Sequence, residues 1–119
     1  MEIRSLYCKE KEITWFASSW DEESQTLMRK FNFPYNKIAS AMSVKKSFVE
    51  LVASEGKPTF ASTGMMNLED IDWLVKTFKE KNCEIMLMHT VSTYPSLDSN
   101  LNLKCINTLK ELSLIHISE

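Results

Sequence analysis

Glycine is scarce in this chain, which has only two glycines among 119 residues. No Gly-x-Gly-x-x-Gly run follows any of its apolar segments. A dinucleotide-binding turn uses such a run to bring the backbone close to a pyrophosphate. The absence of this motif weighs against a nicotinamide- or flavin-dinucleotide enzyme.

Positive charge is not in excess either, since 14 Lys and Arg face 16 Asp and Glu, for a net charge of −2. A general nucleic-acid binder normally carries a basic face, so this class is disfavoured. No apolar run approaches the ~20 residues of a membrane span. The charged N-terminus, MEIRSLYCKEKE, lacks the apolar region of a signal peptide. We therefore expect a soluble, cytoplasmic protein with no nucleic-acid or membrane partner.

Cysteine is limited to Cys8, Cys83 and Cys105, which lie far apart and form no Cys-x-x-Cys pair. This spacing favours reduced thiols over a disulfide or a metal site. Hydrophobic residues make up 44% of the chain and charged residues 25%. The composition therefore predicts a folded chain, which is one domain or a piece of a larger one.

Short apolar runs alternate with segments of helical period. The runs are continuous, as in strands buried on both faces of a parallel sheet, and they lie at 13–18, 36–40, 59–63 and 85–89. The helical segments lie at about 21–31, 46–55 and 67–81 and from about 101 onward. This order predicts an α/β fold with four parallel β/α units. A doubly wound sheet and a (β/α) barrel both fit it.

Helix ends and faces are also predicted. Asn67 is expected to cap the third helix, and Gly56 is expected to follow the end of the second. In the first helix, Leu27, Met28 and Phe31 are expected to face inward.

Polar residues follow each predicted strand, and Lys37 lies inside the second apolar run. Burying an unpaired ammonium costs on the order of several kcal/mol, so this lysine calls for an anionic partner. In parallel α/β folds, the C-terminal strand ends form the ligand site. A lysine among small hydroxyls predicts a phosphate or carboxylate site, although the hydroxyls alone would also fit helix caps. The strand-end residues are Ser18, Ser19, Ser40, Ser62, Thr63, His89 and Thr90.

Four stretches of the chain resemble the phosphoenolpyruvate-dependent sialic acid synthases, that is, the N-acetylneuraminate synthases and their relatives. They are FASSWDEES, NKIAS, LVASEGKPTFASTGM and MHTVSTYP, and the resemblance extends from about Glu2 to Glu111. It implies a (β/α)8 TIM barrel, of which this chain would hold about strands three to six. It also implies condensation of phosphoenolpyruvate with N-acetylmannosamine or a related N-acyl sugar, giving a nonulosonic (sialic) acid and phosphate.

The resemblance further implies a divalent metal, manganese or magnesium, and a protein that is often homodimeric. In the family reaction the metal activates the sugar aldehyde, the alkene carbon of phosphoenolpyruvate attacks it, water adds and phosphate leaves. Lys37 would be the catalytic residue that binds phosphoenolpyruvate. The other implied contacts are Ser18, Ser40, Ser62 and Ser92 around phosphoenolpyruvate and Tyr94 at the sugar.

Three departures from the family pattern stand out. Ala41 and Met42 occupy the place where many members have Gly-Glu, so the sugar could differ from N-acetylmannosamine. The two histidines that bind the family's metal are absent, because neither His89 nor His116 matches them. We therefore expect no metal ligand in this chain. The first two barrel strands, with a glutamate and a second lysine of the site, are missing as well.

The chain ends also differ from the family. Residues 1–111 are expected to be the central part of a barrel that is truncated at both ends, and so to be inactive alone. The final stretch 112–119, LSLIHISE, resembles a translated sequencing-library adapter and is set aside as non-native; a native short strand is the alternative.

Two other functions stay open from the residues. Lys37 could be the covalent amine of a Schiff-base aldolase on a barrel strand. The chain could also be a non-catalytic α/β module that binds phosphorylated metabolites.

Overall fold

The computed structural model describes residues 1–113 of the chain. The helices in this part are α1 (Glu2–Glu10), α2 (Glu22–Met28), α3 (Ser40–Ser43), α4 (Lys46–Ser54), α5 (Leu68–Glu80) and α6 (Cys105–Ser113). Short 3-10 turns lie at Arg29–Phe31 and Asp98–Asn100. The strands are β1 (Asn36–Ile38), β2 (Thr59–Ser62) and β3 (Ile85–Met88).

The strands form one parallel sheet in the order β1-β2-β3, which confirms the predicted α/β fold with a parallel sheet. Lys37 pairs with Phe60, and Ser62 at the end of β2 pairs with Met88 of β3. One face of the sheet packs against α4 and α5. The core there consists of Ile38, Met42, Phe48, Val49, Val52, Ala53, Ala61, Leu74, Phe78, Cys83 and Ile85.

The first predicted strand, at 13–18, is wrong in extent. Only Ser18 pairs with the sheet, through an isolated parallel bridge to Lys37. The preceding residues are held by ring packing instead, because Trp15 contacts Phe31 and Phe33 edge-on, with centroids 6.0 Å and 4.5 Å away. The segment nevertheless places Ser18 beside Lys37, as the predicted parallel order requires.

The helix ends largely agree with the predictions. Asn67 accepts a hydrogen bond from the Asp70 amide, and the Asp70 carboxylate accepts one from the Asn67 amide, which makes a capping box. Gly56 follows α4 with φ of +65°, a left-handed conformation that favours glycine. The last helix begins at Cys105, four residues later than predicted, since the 3-10 turn and a loop come first.

The predicted inner face of α2 is partly wrong. Leu27 is 59% exposed, whereas the polar Gln25 is buried. Gln25 turns inward because its amide finds buried acceptors on Asn36 and Glu55. Polar satisfaction therefore overrides the apolar pattern at this helix.

Helix α6 includes Leu112 and Ser113, the first two residues of the stretch interpreted as a non-native tail. Leu112 packs beside a small cluster of Ile71, Val75 and Leu109. The rest of that stretch, 114–119 with His116, lies outside the described residues. Within residues 1–113, no helix is long and apolar enough to cross a membrane.

Candidate functional site

The Lys37 ammonium is held by neutral hydrogen-bond acceptors at the C-terminal edge of the sheet. Its Nζ donates to the Ser62 Oγ at 2.5 Å and to the Ile38 carbonyl at 3.0 Å. Within residues 1–113, no carboxylate lies at ion-pair distance from this ammonium. Partial burial lowers the pKa of Lys37 below its usual 10.5. The cation is therefore held in place without a counter-ion.

Two of the predicted hydroxyls contact the Lys37 segment directly. Ser62 uses its oxygen to accept from the ammonium, so its own proton remains available to a ligand. Ser18 donates to the Lys37 carbonyl at 3.0 Å and thereby ties the first segment to β1. The two serines flank Lys37 on either side of its strand.

Ser40 contacts Thr90, which follows β3, and not the Lys37 side chain. Its Oγ lies 3.0 Å from the Thr90 Oγ1. Gly64 lies in the same place, because a Cβ there would come within 2.7 Å of the Thr90 carbonyl, the Thr90 Oγ1 and the Ser92 Oγ. The missing side chain of Gly64 thus lets the loop with Thr90 and Ser92 approach the end of β2.

An aromatic layer lies behind the hydroxyls. Phe16, Tyr35 and Phe60 each precede a site residue by two positions, namely Ser18, Lys37 and Ser62. Their ring centroids are 5.4 to 5.8 Å apart, so the three rings pack together. Side chains two apart on a strand share a face, which stacks an aromatic layer and a polar layer on one side of the sheet.

The implied sugar contact Tyr94 and the strand-end residue His89 lie apart from the lysine. Tyr94 is 96% exposed and precedes Pro95 across a cis peptide bond, and within the described residues no contact joins it to Lys37. His89 forms a 2.7 Å hydrogen bond between its Nε2 and the Leu101 carbonyl, which suits a structural residue. Met42 is buried in the core rather than presented at the sheet edge.

A cavity of about 890 Å³ lies on the helix side of the sheet, between the ends of β2 and β3 and helices α5 and α6. Its lining includes Thr63, Gly64 and Thr90 but not Lys37, Ser40 or Ser62. The lysine instead lies on the open, opposite face, with the aromatic layer. We therefore place the candidate site on that open face.

A second polar cluster lies at the other end of β1 and is internally satisfied. The Glu55 carboxylate accepts from the Asn36 Nδ2 at 2.9 Å, from the Gln25 Nε2 at 3.1 Å and from the Arg29 Nε at 2.9 Å. Every charged group in this cluster has a partner of opposite charge. It therefore has the character of a structural network.

Metal-binding groups do not converge in the part of the chain that the structure describes. No three or more His, Cys, Asp or Glu side chains lie together within residues 1–113. The three cysteines are free thiols. The side chains of residues 1–113 therefore do not form a site that fits a divalent metal.

Comparison with known proteins identifies the family of the chain. The sequence model of the NeuB family matches residues 2–117. The chain belongs to the NeuB family. This confirms the resemblance to the sialic acid synthases.

Two NeuB relatives illustrate the range of the match. The pseudaminic acid synthase of Campylobacter jejuni is 37% identical over 97 residues, which cover 81% of this chain and 28% of that protein. The N-acetylneuraminate-9-phosphate synthase of Drosophila melanogaster is 31% identical over 105 residues, which cover 87% and 28%. The chain therefore spans less than a third of the length of these relatives.

Solved structures of NeuB relatives share the fold. The N-acetylneuraminic acid (sialic acid) synthetase of Leptospira borgpetersenii, solved in complex with citrate, superposes with a TM-score of 0.86 at 28% identity, covering 92% of this chain and 40% of that one. The SpsE protein of Bacillus subtilis gives 0.83 at 27% identity, covering 88% and 30%.

Sequence reasoning assigned no specific contact to three residues beside the candidate site. Thr90 was recognised only as a strand-end hydroxyl, Gly64 only as part of a motif, and Ser43, whose hydroxyl donates to the Ser62 carbonyl at 2.7 Å, not at all. The aromatic layer was also missed, although an aromatic two positions before each site residue is a readable signal. The contacts of Thr90 and Ser43 join segments far apart in the sequence, which local patterns do not reveal.

Proposed function

We propose that this chain contributes a phosphoenolpyruvate site to a nonulosonic acid synthase. The observation that carries the proposal is Lys37, a half-buried ammonium with neutral acceptors and no acid beside it within residues 1–113. The carboxylate or the phosphate of phosphoenolpyruvate would supply the missing negative charge. The reaction would join phosphoenolpyruvate to N-acetylmannosamine or a related N-acyl sugar and release phosphate.

The roles of the side chains are those that the family resemblance implies, and the hydrogen-bonding capacity of Lys37 and Ser62 supports them. Lys37 would act as the catalytic cation that holds the anion as charge develops. Ser62 would donate its remaining proton to the same group, and Ser40 and Ser92 would add donors from the neighbouring loops. Ser18 would act on the site by fixing the Lys37 backbone. Tyr94 would line the sugar only if the loop that carries it packs against a ligand.

The complete enzyme would be a (β/α)8 TIM barrel, and residues 1–111 would form its central part. Layers of inward side chains fill such barrels, and the aromatic layer of Phe16, Tyr35 and Phe60 has this character. Strands outside the chain would cover the open face, and the enzyme would be a homodimer. The 119-residue chain alone would have no turnover, because it would supply only part of the site.

The divalent metal of the reaction, manganese or magnesium, would take its ligands from outside the described residues, since those residues have no suitable cluster. Of these sugars, a relative of N-acetylmannosamine is favoured over N-acetylmannosamine itself. Met42 is apolar and buried where many members present a glutamate, so this chain offers no carboxylate to an amino sugar there.

Binding of phosphoenolpyruvate tests the proposal directly. Phosphoenolpyruvate is titrated into the chain, and the Lys37 ε-CH2 resonance is followed by NMR. We expect a saturable shift that is lost in Lys37→Met and retained in Lys57→Met, a control at the half-buried Lys57 before β2. No saturable shift, or equal binding by Lys37→Met, would overturn the proposal.

Turnover separates the remaining alternatives. The chain replaces the matching segment of the Campylobacter jejuni pseudaminic acid synthase, and phosphate release is measured with manganese, phosphoenolpyruvate and a panel of N-acyl sugars. Release that depends on Lys37 supports the synthase. Binding without release in any chimera favours a phosphometabolite-binding module. Borohydride trapping of a pyruvate adduct on Lys37 would establish the aldolase instead.

A further inference from the structure

We propose that Ser43 is a positioning residue, whose buried hydroxyl sets the geometry of Ser62 and Ser40 around Lys37. The inference rests on the proposed phosphoenolpyruvate site and deepens it. Ser43 ends helix α3 and is only 1% exposed, so it touches no ligand itself. Its Oγ lies 2.7 Å from the Ser62 carbonyl and 3.2 Å from the Ala39 carbonyl. The shorter contact marks Ser62 as the principal acceptor.

The Ser62 carbonyl needs this donor because β1 ends too early to supply one. The ladder between β1 and β2 stops at Ile38 and Ala61, one residue before Ser62. The next amide, of Thr63, donates to Met88 of β3. In a trans peptide the carbonyl points opposite to the following amide, so the Ser62 carbonyl points toward the β1 side. The Ser43 hydroxyl takes the place of the missing strand there.

This single contact fixes two of the hydroxyls at the site. It fixes the Ser62 backbone, whose side chain accepts from the Lys37 ammonium. It also fixes α3, whose first residue, Ser40, contacts Thr90. Without the hydroxyl, a buried carbonyl would lose its partner, and water or a shift of α3 would have to compensate. Either change would move the hydroxyls relative to the ammonium.

Thr77 provides a matched control. It is 8% exposed, and its hydroxyl donates to the Trp73 carbonyl one turn earlier in α5, at 2.8 Å. Thr77→Val therefore removes a buried hydroxyl-to-carbonyl hydrogen bond, as Ser43→Ala does. The hydrogen bond of the Thr77 side chain lies within α5 and involves none of the residues around Lys37. A general loss of stability should affect both variants, whereas a positioning role should affect only Ser43.

The experiment compares the wild-type chain with Ser43→Ala, Ser43→Thr and Thr77→Val by NMR. The Lys37 ε-CH2 titration is recorded without ligand, and the dissociation constant for phosphoenolpyruvate is measured in the same samples. We expect Ser43→Ala to bring the Lys37 pKa closer to its ordinary value, because water gains access, and to weaken phosphoenolpyruvate binding about tenfold. Ser43→Thr, which keeps the hydroxyl, should restore both quantities, and Thr77→Val should change neither.

The two readouts separate the two hypotheses. If the wild type does not bind phosphoenolpyruvate, the proposed function fails, yet the ligand-free titration still tests Ser43. If the Lys37 pKa is the same in Ser43→Ala as in Thr77→Val, the positioning role is overturned. Should Ser43→Ala not fold, Ser43→Cys takes its place, since it keeps the shape of the side chain, fills the site and weakens the donor.

Discussion

Two neighbouring residues of one strand, Asn36 and Lys37, face opposite sides of the sheet and have opposite kinds of surroundings. The Asn36 side chain lies in a network in which the Glu55 carboxylate meets Arg29 and two amides. Among residues 1–113, the Lys37 side chain meets only neutral oxygens. The first group is complete without a ligand, and the second lacks a negative charge. The difference distinguishes a structural polar cluster from a candidate binding cluster, although the two are anchored on consecutive residues.

The largest effect on stability is expected from the complete cluster. Glu55→Ala would leave the Arg29 guanidinium and the Asn36 amide without their acceptor and would remove one of the two acceptors of Gln25. We expect the free energy of unfolding to fall by about 2–3 kcal/mol. Urea denaturation measures this change. Glu50→Ala, at an exposed position of the preceding helix α4, is the control. Equal losses in the two variants would contradict the structural role of the network.

The next largest effect is expected at the two glycines. Gly64 lies beside the candidate site, whereas Gly56 does not. Gly64→Ala would force a Cβ against Thr90 and Ser92, and we expect a loss of about 1–3 kcal/mol together with weaker phosphoenolpyruvate binding. Gly56→Ala meets no atom within 4 Å but has φ of +65°, so about 1 kcal/mol of backbone strain is expected with binding unchanged. Denaturation and ligand titration measure the pair. Unchanged binding in Gly64→Ala would argue against its place at the site.

A smaller effect, of opposite sign, is expected at the incomplete cluster. Lys37→Met removes an unpaired ammonium and keeps most of the apolar stem, so the chain should become more stable. The gain should stay below about 1 kcal/mol, because the ammonium retains partial access to solvent. Lys57→Met serves as the control in urea denaturation. A clear loss of stability in Lys37→Met would show that the lysine has a structural role instead.

The smallest effect is a dependence on pH. The Lys37 pKa lies below 10.5 in the folded chain, so between the folded pKa and 10.5 the unfolded state binds more protons than the folded state. Stability should therefore rise with pH through this window. The free energy of unfolding is measured against pH for the wild type and for Lys37→Met. The difference between the two slopes isolates the contribution of this lysine. A difference of zero or of the opposite sign would contradict the partial burial of the ammonium.

The sequence was sufficient for the order β1-α4-β2-α5-β3-α6, the capping of α5 by Asn67 and the proximity of Ser18 and Ser62 to Lys37. These follow from hydrophobic period, local capping and parallel strand order. It was not sufficient for the segment at 13–18, where ring packing replaces a ladder, or for Gln25, which is buried by its amide contacts. Such outcomes depend on partners distant in the chain, which local patterns do not specify.

The aromatic layer beneath the polar one has a consequence for solubility. Phe16, Tyr35 and Phe60 would be covered in a complete barrel, but in the isolated chain they lie on the open face of the sheet. Exposed apolar surface of this kind favours association between molecules. Adding the neighbouring barrel strands should therefore raise solubility as well as complete the site.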